Sequence, residues 1–151
     1  MNRLVADNKV VLRGALLFLV MFLVGCAGTG VKGVGMVLPI IESEDETAVF
    51  VVRQTGMTGV AQLIEVSVDN VVIGTLGNKE VIHSSLEPGV HSVTVRFTGI
   101  GGIGINNVMK TFSLEKGEKA FYTIKLKTGL LTNKLELIGV TKDTFVYSEG
   151  G

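Results

Sequence analysis

Period-two alternation, repeated along most of the chain, constrains this sequence more than any other feature. In residues 63–69, Ile64, Val66 and Val68 fall on one side and Glu65, Ser67 and Asp69 on the other. Val93, Val95 and Phe97 alternate in the same way with Thr94, Arg96 and Thr98, and Tyr122, Ile124 and Leu126 with Thr123, Lys125 and Lys127. Successive side chains of a strand face opposite sides of a sheet, so each segment can bury one face and wet the other. Residues 48–52, Ala-Val-Phe-Val-Val, are an unbroken apolar run that suits a central strand. Further short strands are expected at 71–74, from Val81, at 110–114, around Leu135 and Leu137, and near 144–147.

Turn chemistry separates these runs. Asp69-Asn70 tolerates positive φ. Glu87-Pro88-Gly89 places proline second and glycine third, as a type II turn prefers, and His91 follows at the start of a strand. Residues 115–118, Glu-Lys-Gly-Glu, form another turn, and no window beyond residue 26 carries a helical period. The expected fold is all-β: an antiparallel β-sandwich of about seven to eight strands, Ig-like or transthyretin-like, over residues 47–151. A chain of 151 residues has room for one such domain.

Residues 1–25 read as a cleaved signal helix. Arg3, Lys9 and Arg13 precede a short apolar run from Gly14 to Gly25. As a helix that run would span roughly 18 Å, short of the ~30 Å hydrocarbon core. The run ends in Leu23-Val24-Gly25-Cys26, which resembles the lipobox of bacterial lipoproteins. The resemblance implies that Leu23, Val24 and Gly25 are the signal-peptidase recognition residues. It also implies a diacylglycerol thioether and an N-acyl lipid (palmitate chemistry) on Cys26, and no other cofactor. Ala27 stands where an aspartate often retains lipoproteins in the inner membrane. The implied location is therefore the periplasmic face of the outer membrane. Cys26 is the only cysteine, so the chain cannot form an internal disulfide, and a thioether would remove its free thiol. Residues 26–46 then read as the lipidated N-terminus and a flexible, glycine-rich tether, with a possible edge segment at 36–41 and an acidic cluster at 42–46.

Two stretches carry a further resemblance. Val66-Ser-Val-Asp69-Asn70-Val-Val-Ile-Gly74-Thr-Leu76 is followed by Leu86-Glu-Pro88-Gly89-Val-His91-Ser-Val93-Thr-Val95. This scheme is similar to the PEGA-like β-sandwich domain, as in a family of small bacterial lipoproteins, over about residues 47–140. Asn70 stands where that pattern has glycine, and asparagine also accepts positive φ. The resemblance implies a β-sandwich with a non-enzymatic role.

Charge and motifs narrow the function classes. Lys+Arg and Asp+Glu are both 14, and removing the leader leaves the rest slightly acidic. That balance lacks the basic field nucleic acid needs. Gly99-Ile-Gly101-Gly102-Ile-Gly104 and Gly28-Thr-Gly30-Val-Lys-Gly33 both match G-x-G-x-x-G, but neither opens a helical pattern, so no nucleotide site is expected. Two histidines, His83 and His91, with no cysteine beyond Cys26 fall short of a metal set. No nucleophile elbow and no acid/base carboxylate pair is legible. His91 is expected to bond the turn backbone.

The least ordinary stretch is residues 99–105, Gly99, Ile100, Gly101, Gly102, Ile103, Gly104 and Ile105. Its isoleucines either fold beneath the sandwich or form an exposed contact surface for a partner, a second copy or a membrane. The expectation is a non-catalytic, membrane-anchored scaffold or protein-interaction module, with other envelope proteins or itself as partner. The alternative is a module that binds envelope glycans or peptides.

Overall fold

The computed structural model describes residues 28–32, 41, 43–54, 62–99, 104–128 and 133–147. Among them the elements run β1 (Val31–Lys32), β2 (Ala48–Arg53), β3 (Ile64–Val68), β4 (Val71–Leu76), β5 (Glu80–Ser85), β6 (Gly89–Phe97), β7 (Val108–Leu114), β8 (Lys119–Thr128), β9 (Asn133–Val140) and α1 (Lys142–Tyr147). A five-stranded sheet, β1-β5-β2-β8-β9, packs on a four-stranded sheet, β4-β3-β6-β7. This is the all-β sandwich that alternation demands. The ladders are antiparallel except between β2 and β8, which run parallel with Phe50 opposite Phe121. Parallel neighbours need a long crossover. Here the chain builds the whole four-stranded sheet, and β5, between the two.

The inner faces form the main core. Ile64, Val66, Val68, Val93 and Val95 of one sheet meet Val49, Val51, Tyr122, Ile124, Leu135 and Leu137 of the other. A second cluster lies on the outer side of the five-stranded sheet, where Ala48, Phe50, Val52, Val81 and Phe121 pack with Ile41 and Phe145. β2 is therefore buried on both faces along its whole length, which is why residues 48–52 show no alternation.

The last segment corrects the sequence expectation. Residues near 144–147 form α1 rather than a strand. Thr141 caps it: its carbonyl accepts from Phe145 N at 2.9 Å, and its hydroxyl from Thr144 N at 3.3 Å. Phe145 is fully buried, tilted against Phe121 at 5.2 Å and edge-on to Phe50 at 6.2 Å. One turn and a half is too short for a 3.6-residue period to register.

The flexible tether is also corrected in part. Thr29 N donates to Thr75 O at 2.8 Å and Gly30 N to the same oxygen at 3.0 Å, while Thr75 N donates to Thr29 Oγ1 at 2.7 Å. β1 then pairs with β5, Val31 opposite Val81. The segment 28–32 thus stitches the edge of the four-stranded sheet to the edge of the five-stranded one. Its glycines serve close approach rather than flexibility. A Cβ on Gly28 would run into the Glu80 carboxylate and lie 2.5 Å from Gly77 N, and one on Gly30 would lie 2.6 Å from Leu76 Cδ2. Of residues 36–41 only Ile41 is described, buried in the second cluster. The expected leader, residues 1–25, which includes Leu23, Val24 and Gly25, lies outside the described residues, as do Cys26 and the rest of 36–41.

Candidate functional site

The turn residues singled out in the sequence converge at one end of the sandwich. Asp69 and Asn70, at φ 48° and 66°, form the two-residue connection of β3 and β4; both positive angles fit the primed hairpin turns. Gly89, at the head of β6, has φ 152°. A type II turn would place its glycine near +80°, so the expected turn type is corrected. The conformation still excludes an L side chain, because it lies in territory open essentially to glycine alone. Pro88 is exposed beside it.

His91 ties the two turns together. Its Nδ1 lies 2.7 Å from Asp69 Oδ2, and its Nε2 lies 2.7 Å from Glu87 O. A carbonyl only accepts, so Nε2 carries a proton; donation from Nδ1 to the carboxylate makes the ring an imidazolium. Asp69 Oδ1 accepts from Ser92 N at 2.7 Å and Ser92 Oγ at 3.3 Å. The hydrogen bond to Asp69 raises the His91 pKa above its usual 6.5, and the Glu87 carbonyl adds to that. The same bond, followed by that from Ser92 N, holds Asp69 below its usual 3.8. The imidazole also tilts against Phe112 at 5.9 Å.

Chemically this arrangement is a clasp. While both ring nitrogens donate, the ring has no lone pair for taking a proton or holding a metal, a state that ends as pH rises through the raised pKa. The Ser92 hydroxyl addresses the carboxylate rather than the imidazole, so the order needed for a serine nucleophile is missing at this cluster. His83 is remote from it and stacks on Phe50 at 5.6 Å. Among the described residues no three His, Cys, Asp or Glu side chains gather as a metal set.

At the opposite end the chain buries a charge pair that sequence inspection missed. Arg53 and Glu80 are 5% and 4% exposed. The guanidinium donates to the carbonyls of Gln62 and, at 3.3 Å, of Leu76, and Glu80 accepts from Gly77 N at 2.8 Å. Burial lowers the Arg53 pKa and the Glu80 charge raises it. The one available signal is a charge closing an all-apolar run and another opening β5; their meeting depends on the β2–β5 pairing, in which Val52 faces Val81.

Of the stretch 99–105, Ile100, Gly101, Gly102 and Ile103 lie outside the described residues. Gly99 and Gly104 have φ 73° and 81°. Ile105 is half-buried and packs against the main core, so this one isoleucine follows the folded-back reading.

The two seams of the sandwich differ. Residues 28–32 close the β4–β5 side. The β7–β9 side opens into a groove of ≈ 590 Å³ bordered by Leu114, Lys119, Tyr122, Gly139, Thr141 and Thr144. Tyr122 forms its inner wall, 8% exposed, with its hydroxyl pKa raised by burial. The Lys119 ammonium donates to the carbonyls of Ser43 and Gly117. No protein-family model matches the chain, and no curated protein matches it.

Proposed function

We propose that this chain is a non-catalytic lipoprotein of the bacterial cell envelope, a scaffold or protein-interaction module held by lipid on Cys26 at the periplasmic face of the outer membrane. The observation that carries the reading is Leu23-Val24-Gly25-Cys26 at the end of a short apolar run, just ahead of a β-sandwich. A lipid-held domain needs no further membrane segment, because two or three acyl chains anchor stably where one is marginal. The PEGA-like pattern of residues 66–95 favours the same class. The Asp69–His91 clasp supports a structural role for the titratable cluster, since its hydrogen-bonding capacity is spent within the fold.

Outward-facing positions of the four-stranded sheet support protein contact. One cross-strand row reads Val72, Ser67, Thr94 and Met109, with Val72 54% and Met109 63% exposed. Val72, Ser67 and Thr94 have short side chains that lose little entropy when covered. Capture from solubilised envelopes tests the reading: the wild-type chain should retain defined envelope proteins or a second copy, and Met109→Glu with Val72→Glu should release them. Retention on purified cell wall without any protein would favour the second reading, a glycan- or peptide-binding module using the groove beside Tyr122.

A further inference from the structure

We infer that the domain sits on the bilayer in one orientation, with the end carrying the Gly77–Lys79 turn against anionic lipid headgroups and the Asp69–His91 end pointing away. The inference rests on the proposed lipid anchor at Cys26 and adds which face meets the membrane.

The first support is chain length. Gly28 is the second residue after Cys26. Two extended residues reach about 7 Å at most. From Thr29 onward the chain is bonded to Thr75 of β4 and then to β5. Thr75 lies next to the end of β4, one residue before Leu76, whose carbonyl meets Arg53. A lipid on Cys26 therefore has no long leash; it leaves the fold at this end. The ten residues of β8 span about 33 Å, so the opposite end is held well away from the headgroups.

Charge complementarity is the second support. Lys79 is exposed in the turn at this end. Exposed Lys125 and Lys127 occupy the last part of β8, beyond Ile124, the partner of Arg53. Lys134 is exposed directly across from Lys127. Two like charges facing across a ladder repel. Glu136 relieves this in part, at 3.0 Å from Lys127 Nζ, and an anionic surface would relieve it further. The far end is acidic on balance: exposed Glu44, Asp45, Glu87, Glu115, Glu118 and Asp143 outnumber the exposed Lys116 and Lys142. Anionic lipid attracts the first set and repels the second, so the field of the domain and the short leash select the same orientation.

Depth quenching on the full lipidated chain tests this. A single added cysteine, Lys79→Cys or Glu87→Cys, carries a fluorophore in proteoliposomes of phosphatidylethanolamine and phosphatidylglycerol that contain headgroup spin-labelled lipid. Quenching at Lys79→Cys should exceed that at Glu87→Cys several-fold. Adding Gly30→Val, which drives a side chain into Leu76, should release the segment and bring the two sites toward equality; Thr29→Ala serves if that variant folds poorly. Equal quenching in the parent chain, or stronger quenching at Glu87→Cys, overturns the orientation. The mass of the same preparation reports acylation independently. A chain without lipid overturns the anchor reading and this inference with it, whereas a lipidated chain quenched equally overturns the orientation alone.

Discussion

The Asp69 carboxylate and the His91 imidazole meet at 2.7 Å across 22 residues of sequence, and together they lock the β3–β4 turn to the turn that opens β6. Neither turn is adjacent in sequence to the other. The bond ties the β3–β4 hairpin turn to the β5–β6 connection, which crosses from one sheet to the other, with Glu87 O holding the far side of the ring. Its strength depends on charge, and the sign follows from the two pKa shifts. The fold raises His91, so its contribution is complete below the usual 6.5 and disappears as pH rises through the raised value. The fold lowers Asp69, so its contribution is present above the usual 3.8 and disappears as pH falls through the lowered value. Thermal unfolding followed from pH 4 to 9 should show the highest midpoint between those limits and a decline as pH rises beyond 6.5. Asp69→Asn should flatten that decline. The Asp69 side chain is 46% exposed, so the loss should be about 1 kcal/mol or less. An unchanged pH profile in Asp69→Asn would remove the clasp from the stability account.

Gly89 should resist any side chain. Its φ of 152° is closed to L residues, while a Cβ would meet only His91 Nε2, at 3.9 Å. The penalty is therefore conformational rather than a clash. Gly89→Ala and Gly89→Val should both destabilise by about 1–3 kcal/mol and by similar amounts. Denaturant midpoints check this; a much larger effect of valine than of alanine would point to crowding instead.

The second cluster makes α1 part of the fold. Phe145→Ala removes a fully buried ring that contacts Phe50 and Phe121, and should cost about 3–5 kcal/mol. Thr141→Ala, which removes only the cap hydroxyl, should cost about 1 kcal/mol. If both variants unfold like the parent, α1 does not cover the five-stranded sheet.

Most of the sandwich was legible because alternation is a local signal. Ile64, Val66 and Val68, or Val93 and Val95, declare their buried face without knowledge of any partner. What was hidden depends on pieces far apart in sequence. Phe145 buries its ring only because β2 and β8 bring Phe50 and Phe121 side by side. Gly28 and Gly30 looked like a leash because glycine serves flexibility and close approach equally well. Only the positions of Glu80 and Leu76 decide between the two. At the clasp, the residues Asp69, Gly89 and His91 were visible as turn formers; that Asp69 and His91 bond each other was not, since the contact depends on the β3–β6 register, in which Val68 faces Val93. Arg53 and Glu80 escaped notice for the same reason.

The half-buried Ile105 separates from its neighbours in expectation. Ile105→Ser should destabilise by roughly 1–2 kcal/mol, because its side chain packs on the main core. Hydrogen exchange at Val95 and Val108, which face each other across β6 and β7, should rise with it. Unchanged exchange would place Ile105 outside the core.

Lipid attachment at Cys26 is the central claim, and the mass of the processed chain tests it most directly. The chain is expressed in a bacterial host with an alkyne fatty acid, and the mature protein is weighed intact. The predicted result is a chain that begins at Cys26 and carries a diacylglycerol and an N-acyl group, with Cys26→Ala retaining residues 1–25 and taking up no label. A mature chain with a free Cys26 thiol, or a Cys26→Ala variant cleaved as efficiently as the parent, would contradict it.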